Sequence, residues 1–229
     1  MRFDLGQYQI QIEIDSLYDS HSTDNQTIYT KQYLLGEESI VTQIGIRIFE
    51  YENEISSCII GAEGGATTIH ENSQIVENNK ILICCNDSVF CLEIPTLNLS
   101  WKKEVDKTTA FQIFKHDKDY IIHGEFEITR IDEKGNIKWQ NNGIDIFVSQ
   151  NEKNDFEISE KNIKAVDYEN RMELSFSNIG MTGGLRISYI NKEKDDDITQ
   201  IEKRCFIDGN SFIATEARFG GIVIEKEVE

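Results

Sequence analysis

His123 and Glu125 are the residues with the most plausible spacing for acid–base chemistry, because they flank a glycine where a turn is expected. A histidine beside a carboxylate could transfer a proton if the turn exposes both groups. The turn position itself favours a scaffolding role. None of the four histidines lies in an HExxH motif, and the chain has no GxSxG motif. The sequence therefore predicts a non-catalytic protein with no catalytic residue.

The segment Gly61 to Thr68, GAEGGATT, is glycine-rich but lacks the lysine that a phosphate-binding loop of the Walker type requires. It is followed by residues that favour strands rather than a helix. We therefore expect an ordinary loop and no bound cofactor.

The cysteines could support redox or metal chemistry, and there are five of them. If Asp87-Ser88 forms a hairpin loop, Cys84 and Cys91 face each other across two strands, at a distance suited to a redox pair. The alternative is that cysteine serves as a small apolar residue in these strands. Because Cys84 and Cys85 are adjacent, a strand would point them to opposite faces, which argues against zinc. We expect free thiols and no metal.

The charge balance restricts the possible partners. The chain has 229 residues and a formal net charge of −18, with 41 acidic and 23 basic residues. This balance argues against binding to nucleic acid phosphates or to an anionic membrane. It favours a basic protein partner, or it serves solubility alone. The N-terminus has no apolar signal segment, and the cysteine count is odd, so a cytoplasmic location is expected.

The elements that must position these residues are organised around the segment Tyr120 to Trp139. Its pattern predicts a strand, a two-residue loop at Gly124-Glu125, a second strand, a turn at Asp132 to Gly135, and a third strand. The second half recurs in copies that begin at residues 49, 94, 131 and 166, at spacings of 45, 37 and 35 residues. Asn53 and Asn170 replace Gly135 in two copies. Spacings in this range, with several strands per copy, are typical of propeller blades.

The stretches ILICCNDSVFCLEIPTLNLSW and YIIHGEFEITRIDEKGNIKW resemble the β-propeller repeats of the PQQ-like and WD40-like groups. The block from Gly61 to Ser149, GAEGGATT to GIDIFVS, also resembles small bacterial β-repeat proteins, some of which are regarded as immunity proteins of polymorphic toxin systems. The resemblance as a whole covers roughly residues 44 to 176. The resemblance implies an all-β fold whose antiparallel repeat units form a small or partial β-propeller-like assembly. It implies a protein–protein interaction module, and in its sharper form an immunity protein that neutralises a cognate toxin.

Two alternatives of a different class remain open at this point. A small-molecule or glycan binder would use aromatic and carboxylate side chains in a concave pocket. A hydrolase would require two carboxylates in a cleft at a defined separation. The sequence places no such pair, so an interaction module is preferred.

The repeats also predict the domain organisation. Residues 1–190 are expected to form the repeat domain, and residues 191–229 an acidic loop and C-terminal hairpin that closes or caps the same domain. Trp101 and Trp139 are expected at matching, largely buried positions.

Two matching repeat turns are both acidic and each carries a tyrosine, which suits a binding surface. If both turns lie on the same edge, or rim, of the array of repeat units, a basic protein partner would bind at that rim. The predicted partner-binding residues are Glu50, Tyr51, Glu52, Glu54, Asp167, Tyr168 and Glu169.

Overall fold

A computed structural model describes the chain over most of its first 168 residues and over the strands that follow. The described residues are 1–36, 40–142, 146–148, 156–158, 162–166, 168, 173–177, 186–189, 202–207, 210–217 and 221–226. Every regular element among them is a β-strand, and none of them forms a helix that could cross a membrane. The chain divides into two compact units, residues 1–115 and residues 116–229.

The first unit begins with a five-stranded sheet in the order β1-β2-β4-β5-β3. Neighbouring strands are antiparallel except β3 and β5, which are parallel. The predicted alternation in β2 is confirmed, since Ile10 and Ile12 are fully buried. The strands are β1 (Arg2–Leu5), β2 (Tyr8–Ile14), β3 (Lys31–Leu35), β4 (Ile44–Glu50) and β5 (Asn53–Ala62).

A four-stranded antiparallel meander completes the regular sheets of this unit. It consists of β6 (Gln74–Glu77), β7 (Lys80–Cys85), β8 (Ser88–Glu93) and β9 (Leu99–Glu104), in that order. One apolar cluster joins it to the first sheet, with isoleucines of β2 and β4 packed in the same core as Ile83 and Phe90. Such burial is the main stabilising contribution to a fold built from short strands. The next strand, β10 (Ala110–His116), lies at the boundary between the two units.

The described residues of the second unit form ten strands in two antiparallel sheets. One sheet includes β11-β12-β13-β18-β19-β20 as consecutive neighbours, and the other has the order β14-β15-β16-β17. Its described core is formed by Ile121, Ile128, Phe147, Ile163 and Ala165. The strands are β11 (Asp119–Gly124), β12 (Glu127–Ile131), β13 (Ile137–Asn142), β14 (Phe156–Ile158), β15 (Asn162–Val166), β16 (Glu173–Ser177), β17 (Arg186–Tyr189), β18 (Glu202–Ile207), β19 (Asn210–Ala217) and β20 (Gly221–Lys226).

The repeat register is visible as a shared irregularity. The pairs β4–β5, β8–β9 and β12–β13 each shift register just before the repeat turn, at Ile48/Phe49, Cys91/Leu92 and Arg130/Ile131. Each shift leaves one extra residue in the exit strand, as a β-bulge does. Trp101 and Trp139 both follow that residue, so their predicted equivalence is confirmed, but both are partly buried and not largely buried as expected.

Two predicted turns are corrected by the register. His123 pairs with Ile128, so the loop between β11 and β12 is Glu125-Phe126, and Gly124 ends β11. In the first repeat the left-handed residues are Tyr51 (φ 47°) and Glu52 (φ 69°), while Asn53 begins β5. A two-residue hairpin loop of this type requires positive φ at both loop positions, and the pairing of Glu50 with Asn53 leaves only those two.

The predicted fold class, all-β with antiparallel, propeller-blade-like repeat units, is confirmed. The C-terminal strands β18 and β19 form the expected hairpin, and β18 pairs with β13 of the repeat sheet. Residues 190 and 191, where the predicted domain boundary falls, lie outside the described residues, so that boundary stays a prediction.

Candidate functional site

The predicted acid–base pair lies in a structural position. His123 is buried, its Nε2 atom lies 3.0 Å from the backbone oxygen of Phe147, and its ring stacks on Phe156 at 4.6 Å. The backbone oxygen of Glu125 accepts a 2.6 Å hydrogen bond from the amide of Phe147. These contacts fasten the β11–β12 hairpin to residues 146–148. They support the scaffolding interpretation of both residues.

The glycine-rich loop is occupied by contacts within the first unit. The amide of Gly65 donates to Thr108 O (2.7 Å), and Asn86 Nδ2 donates to Gly65 O (3.1 Å). Gly64 has φ 105°, and a side chain there would meet the backbone nitrogen of Asp87 at 3.0 Å. Its close packing against neighbouring backbone fits the ordinary structural loop that the sequence predicted.

The cross-strand pairing of Cys84 with Cys91, which depended on a hairpin loop at Asp87-Ser88, does not occur. Cys84 pairs with Val89 and Cys91 with Leu82, because the β7–β8 loop is Asn86-Asp87 and not Asp87-Ser88. Burial raises the pKa of Cys84, Cys85 and Cys91, and it raises the pKa of Cys58 to about 12. All four thiols are free and buried, as expected of apolar packing residues. The side chain of Cys205 is outside the described residues.

The first predicted binding segment is a hairpin tip that we name the Tyr51 hairpin, residues 47–54. Tyr51 is 81% exposed. The carboxylates beside it are held: Glu50 accepts from Gln7 Nε2 at 2.7 Å, and Glu54 forms an ion pair with Arg47 at 2.6 Å. Glu52 shares the loop with Tyr51 and is exposed. The hairpin therefore exposes the ring of Tyr51 and the carboxylate of Glu52, while the neighbouring carboxylates are bound to other side chains.

The second predicted segment is only partly described. Tyr168 is 37% exposed, and its amide donates to Ile146 O at 2.9 Å. Asp167 and Glu169 lie outside the described residues. Tyr51 and Tyr168 belong to different units, so their common rim stays a prediction.

The sequence interpretation missed a cleft at the end of β2, which we name the Tyr18 cleft. It has a volume of about 220 Å³ and is lined by Glu13, Ile14, Asp15, Leu17, Tyr18, Asn25, Gln26 and Thr27. This is smaller than a typical small-molecule pocket of roughly 300–1,000 Å³. The segment from Asp15 to Gln26 reads as a polar loop, but Leu17 and Tyr18 within it, and Ile28 and Tyr29 after it, are the apolar signal that could have revealed the cleft.

Two tyrosines support the Tyr18 cleft. The rings of Tyr18 and Tyr29 pack edge to face with centroids 5.3 Å apart, and Tyr29 Oη donates to Asp15 Oδ2 at 3.0 Å. Burial raises the pKa of Tyr18, and the carboxylates of Asp15 and Asp19 raise it further. The pKa of Tyr29 is raised by burial and by the hydrogen bond to Asp15, with Glu13 contributing. Burial is the largest cause of both shifts, and the nearby carboxylates act in the same direction.

Comparisons with known proteins give fold-level similarity only. No protein-family model matches the chain, and no curated protein matches it. Among solved structures, the AfRom2 CNH domain is 12% identical, with a TM-score of 0.43 over 98% of this chain and 62% of its own. The N-terminal domain of Nup159 is 8% identical, with a TM-score of 0.41 over 96% of this chain and 68% of its own. A chain of the mitotic checkpoint complex is 8% identical, with a TM-score of 0.46 over 82% of this chain and 61% of its own. At these identities and TM-scores, the similarities carry no argument about function.

Proposed function

We propose that this chain is a non-catalytic protein-binding module whose partner is a basic protein, and that the Tyr51 hairpin contacts that partner. The observation that carries the proposal is the exposure of Tyr51, 81%, on a loop fixed by its flanking strands and side chains. A tyrosine held in this way offers a large contact area at a low cost in conformational entropy.

The backbone of the loop supports the proposal. Tyr51 and Glu52 both adopt left-handed conformations, with φ of 47° and 69°. This loop type prefers Asn-Gly, and other residues cost roughly 1–2 kcal/mol each in that region. Residues held in unfavourable backbone conformations cluster at binding sites. A tyrosine at such a position is explained if its ring serves recognition.

Charge supports a basic partner. The formal net charge is −18, and Glu52 lies next to the exposed ring. Such a field attracts a basic protein over distances of about 8–10 Å at physiological ionic strength and accelerates association. In its sharper form the proposal is an immunity protein that covers the basic active site of a cognate toxin in the cytoplasm.

The test is binding to the purified product of the neighbouring gene, measured as association and dissociation rates at low and high salt. Tyr51→Ala should weaken binding by about tenfold to a hundredfold, as the loss of an aromatic anchor does. Glu133→Ala is the matched control, because Glu133 occupies the position of Tyr51 in the third repeat and the change truncates an exposed side chain to the same methyl group. Unchanged affinity in Tyr51→Ala would exclude the hairpin as the contact.

A second variant tests the electrostatic part of the proposal. It neutralises Glu50, Glu52, Glu54, Asp167 and Glu169 together. The association rate should fall and should depend less steeply on salt, because steering is an effect of exposed charges. If the association rate is unchanged, these acidic residues do not steer the partner, and the negative charge serves solubility alone.

A further inference from the structure

The Tyr18 cleft carries two carboxylates that have no basic partner within the described residues. Glu13 accepts from Gln11 Nε2 at 2.9 Å, and Asp15 accepts from the hydroxyl of Tyr29 at 3.0 Å. Both donors are neutral, and no lysine, arginine or histidine lines the cleft. A cation entering the cleft would therefore meet uncompensated negative charge.

The edge of the same cleft is apolar. Ile14 and Leu17 line it, and Ile28 follows the lining residue Thr27. Leu17 is 78% exposed and Ile28 is 84% exposed, so both present nearly whole side chains to solvent. Single exposed apolar residues are ordinary, but Ile14 and Leu17 line one acidic cleft and Ile28 adjoins its lining in the sequence, so this edge combines apolar and anionic groups.

The floor of the cleft is closely packed. Tyr29 is buried behind Asp15, and its ring fills the space beside Gly45, where a side chain would lie 2.7 Å from Tyr29 Cζ. The packing of Tyr18 against Tyr29 fixes one wall. A preformed site of this kind loses little conformational freedom when it is filled.

We propose that the Tyr18 cleft receives a lysine or arginine side chain from a protein segment whose aliphatic neighbours cover Ile14, Leu17 and Ile28. Lysine and arginine carry an apolar stem and a charged end, so the stem fits the apolar edge and the charge reaches Glu13 and Asp15. The inference builds on the proposed protein-binding function and adds a second contact, distinct from the Tyr51 hairpin.

Other occupants fit the surface less well. A hard metal ion requires six or more oxygen ligands, and the described residues contain no group of three potential metal-ligating side chains. A free organic cation would leave Leu17 and Ile28 exposed. A protein segment satisfies both the charge and the apolar edge.

The experiment is a nuclear magnetic resonance titration of the full chain, labelled at isoleucine and leucine methyl groups. The probe is the peptide acetyl-Gly-Leu-Lys-Leu-Gly-amide at millimolar concentration. We expect shifts at the methyl groups of Ile14, Leu17 and Ile28. Replacing the peptide lysine by glutamine should abolish them, and replacing its two leucines by alanine should weaken them.

Two variants locate the binding. Glu13→Gln with Asp15→Asn should weaken the peptide by about tenfold, and Leu17→Ser should weaken it without affecting the fold, because Leu17 is exposed. The control for net charge is Glu71→Gln with Glu104→Gln, two exposed carboxylates outside the cleft, and it should bind as the parent does.

Three results would overturn the inference: no methyl shifts with the lysine peptide, equal shifts with the glutamine peptide, or shifts confined to residues outside the cleft. A free-cation site would appear as equal competition by lysine amide and by the peptide. If Tyr51→Ala abolishes capture of the partner protein while Leu17→Ser leaves it unchanged, the proposed function stands and this inference fails.

Discussion

Asp119 and Arg130 form a buried ion pair between neighbouring strands of the second unit, and its contribution to stability can be tested by mutation. Arg130 donates to Asp119 Oδ2 through Nε at 2.6 Å and through a terminal nitrogen at 2.5 Å. The side chain of Asp119 is only 4% exposed and that of Arg130 only 10% exposed. Lys138 reaches the same oxygen at 2.9 Å from a side chain that is 43% exposed. One carboxylate thus fixes two strands next to the bulge of the third repeat.

The predicted magnitude follows from this burial. Asp119→Ala leaves the guanidinium buried without its carboxylate, which should cost about 3–5 kcal/mol of unfolding free energy. Lys138→Met removes an exposed partner of the same oxygen and should cost at most about 1 kcal/mol. The double change Asp119→Leu with Arg130→Met replaces the pair by apolar groups and should cost much less than Asp119→Ala.

Urea unfolding followed by tryptophan fluorescence is the assay. The chain has two tryptophans, one in each unit, and Trp139 pairs directly with Arg130. A Trp101→Phe background therefore makes the signal report on the sheet that holds the ion pair. The reasoning is refuted if Asp119→Ala shifts the transition no further than Lys138→Met does, or if the double change is as damaging as Asp119→Ala.

Three other predictions can be checked with the same purified protein. Cys58, Cys84, Cys85 and Cys91 should not react with a thiol reagent until the protein unfolds, because burial removes access and raises their pKa; rapid native labelling would contradict this. Gly45→Ala should cost about 1–3 kcal/mol through its clash with Tyr29, and adding Tyr29→Ala should cost less than the sum of the two single changes, as thermal unfolding would show. The pKa of Tyr29 is raised in the folded state, so the protonated hydroxyl of Tyr29 contributes fully to stability below about pH 10, and this contribution is lost as the pH rises further. The variant Tyr29→Phe should therefore show a smaller slope of unfolding free energy against pH above about pH 10.

Much of the fold is readable in the sequence because strand alternation and turn residues are local signals. Tyr8–Ile14 and the turn from Asp132 to Gly135 appear where the pattern predicts them, and Gly135 takes the expected positive φ of 82°. Loop positions were wrong by one residue at Gly124-Glu125 and at Asp87-Ser88. A slip of one residue leaves the composition of a hairpin unchanged, so composition alone does not detect it.

The candidate sites were less predictable, because they depend on contacts between distant residues. The exposure of Tyr51 followed from its turn, a local feature. The Tyr18 cleft instead requires Tyr29 to occupy the space beside Gly45 and to donate to Asp15, and no periodicity encodes that contact. The β-bulges were also missed, although Trp101 and Trp139 each directly follow the extra residue and are equivalent in that register.

Each of the described repeat turns contains at least one residue in the left-handed backbone conformation, but the residue types at these positions differ. In the third repeat, Gly135 supplies the left-handed residue, and Asp132 accepts from the amides of Lys134 and Asn136 at 2.8 and 2.9 Å. Burial opposes ionisation of Asp132, but these hydrogen bonds and the one from the Asn136 side chain prevail and lower its pKa.

The second turn places Leu97 at φ 53° and buries its side chain in the core of the first unit, so packing compensates the backbone cost. The first turn has neither a glycine nor a buried side chain at its left-handed positions, and Tyr51 extends into solvent. Stability alone would favour Asn-Gly at these two positions, so Tyr51→Asn with Glu52→Gly should raise the unfolding temperature. We expect that gain together with a loss of partner binding. A double variant that gains stability and keeps full binding would remove recognition as the reason for Tyr51.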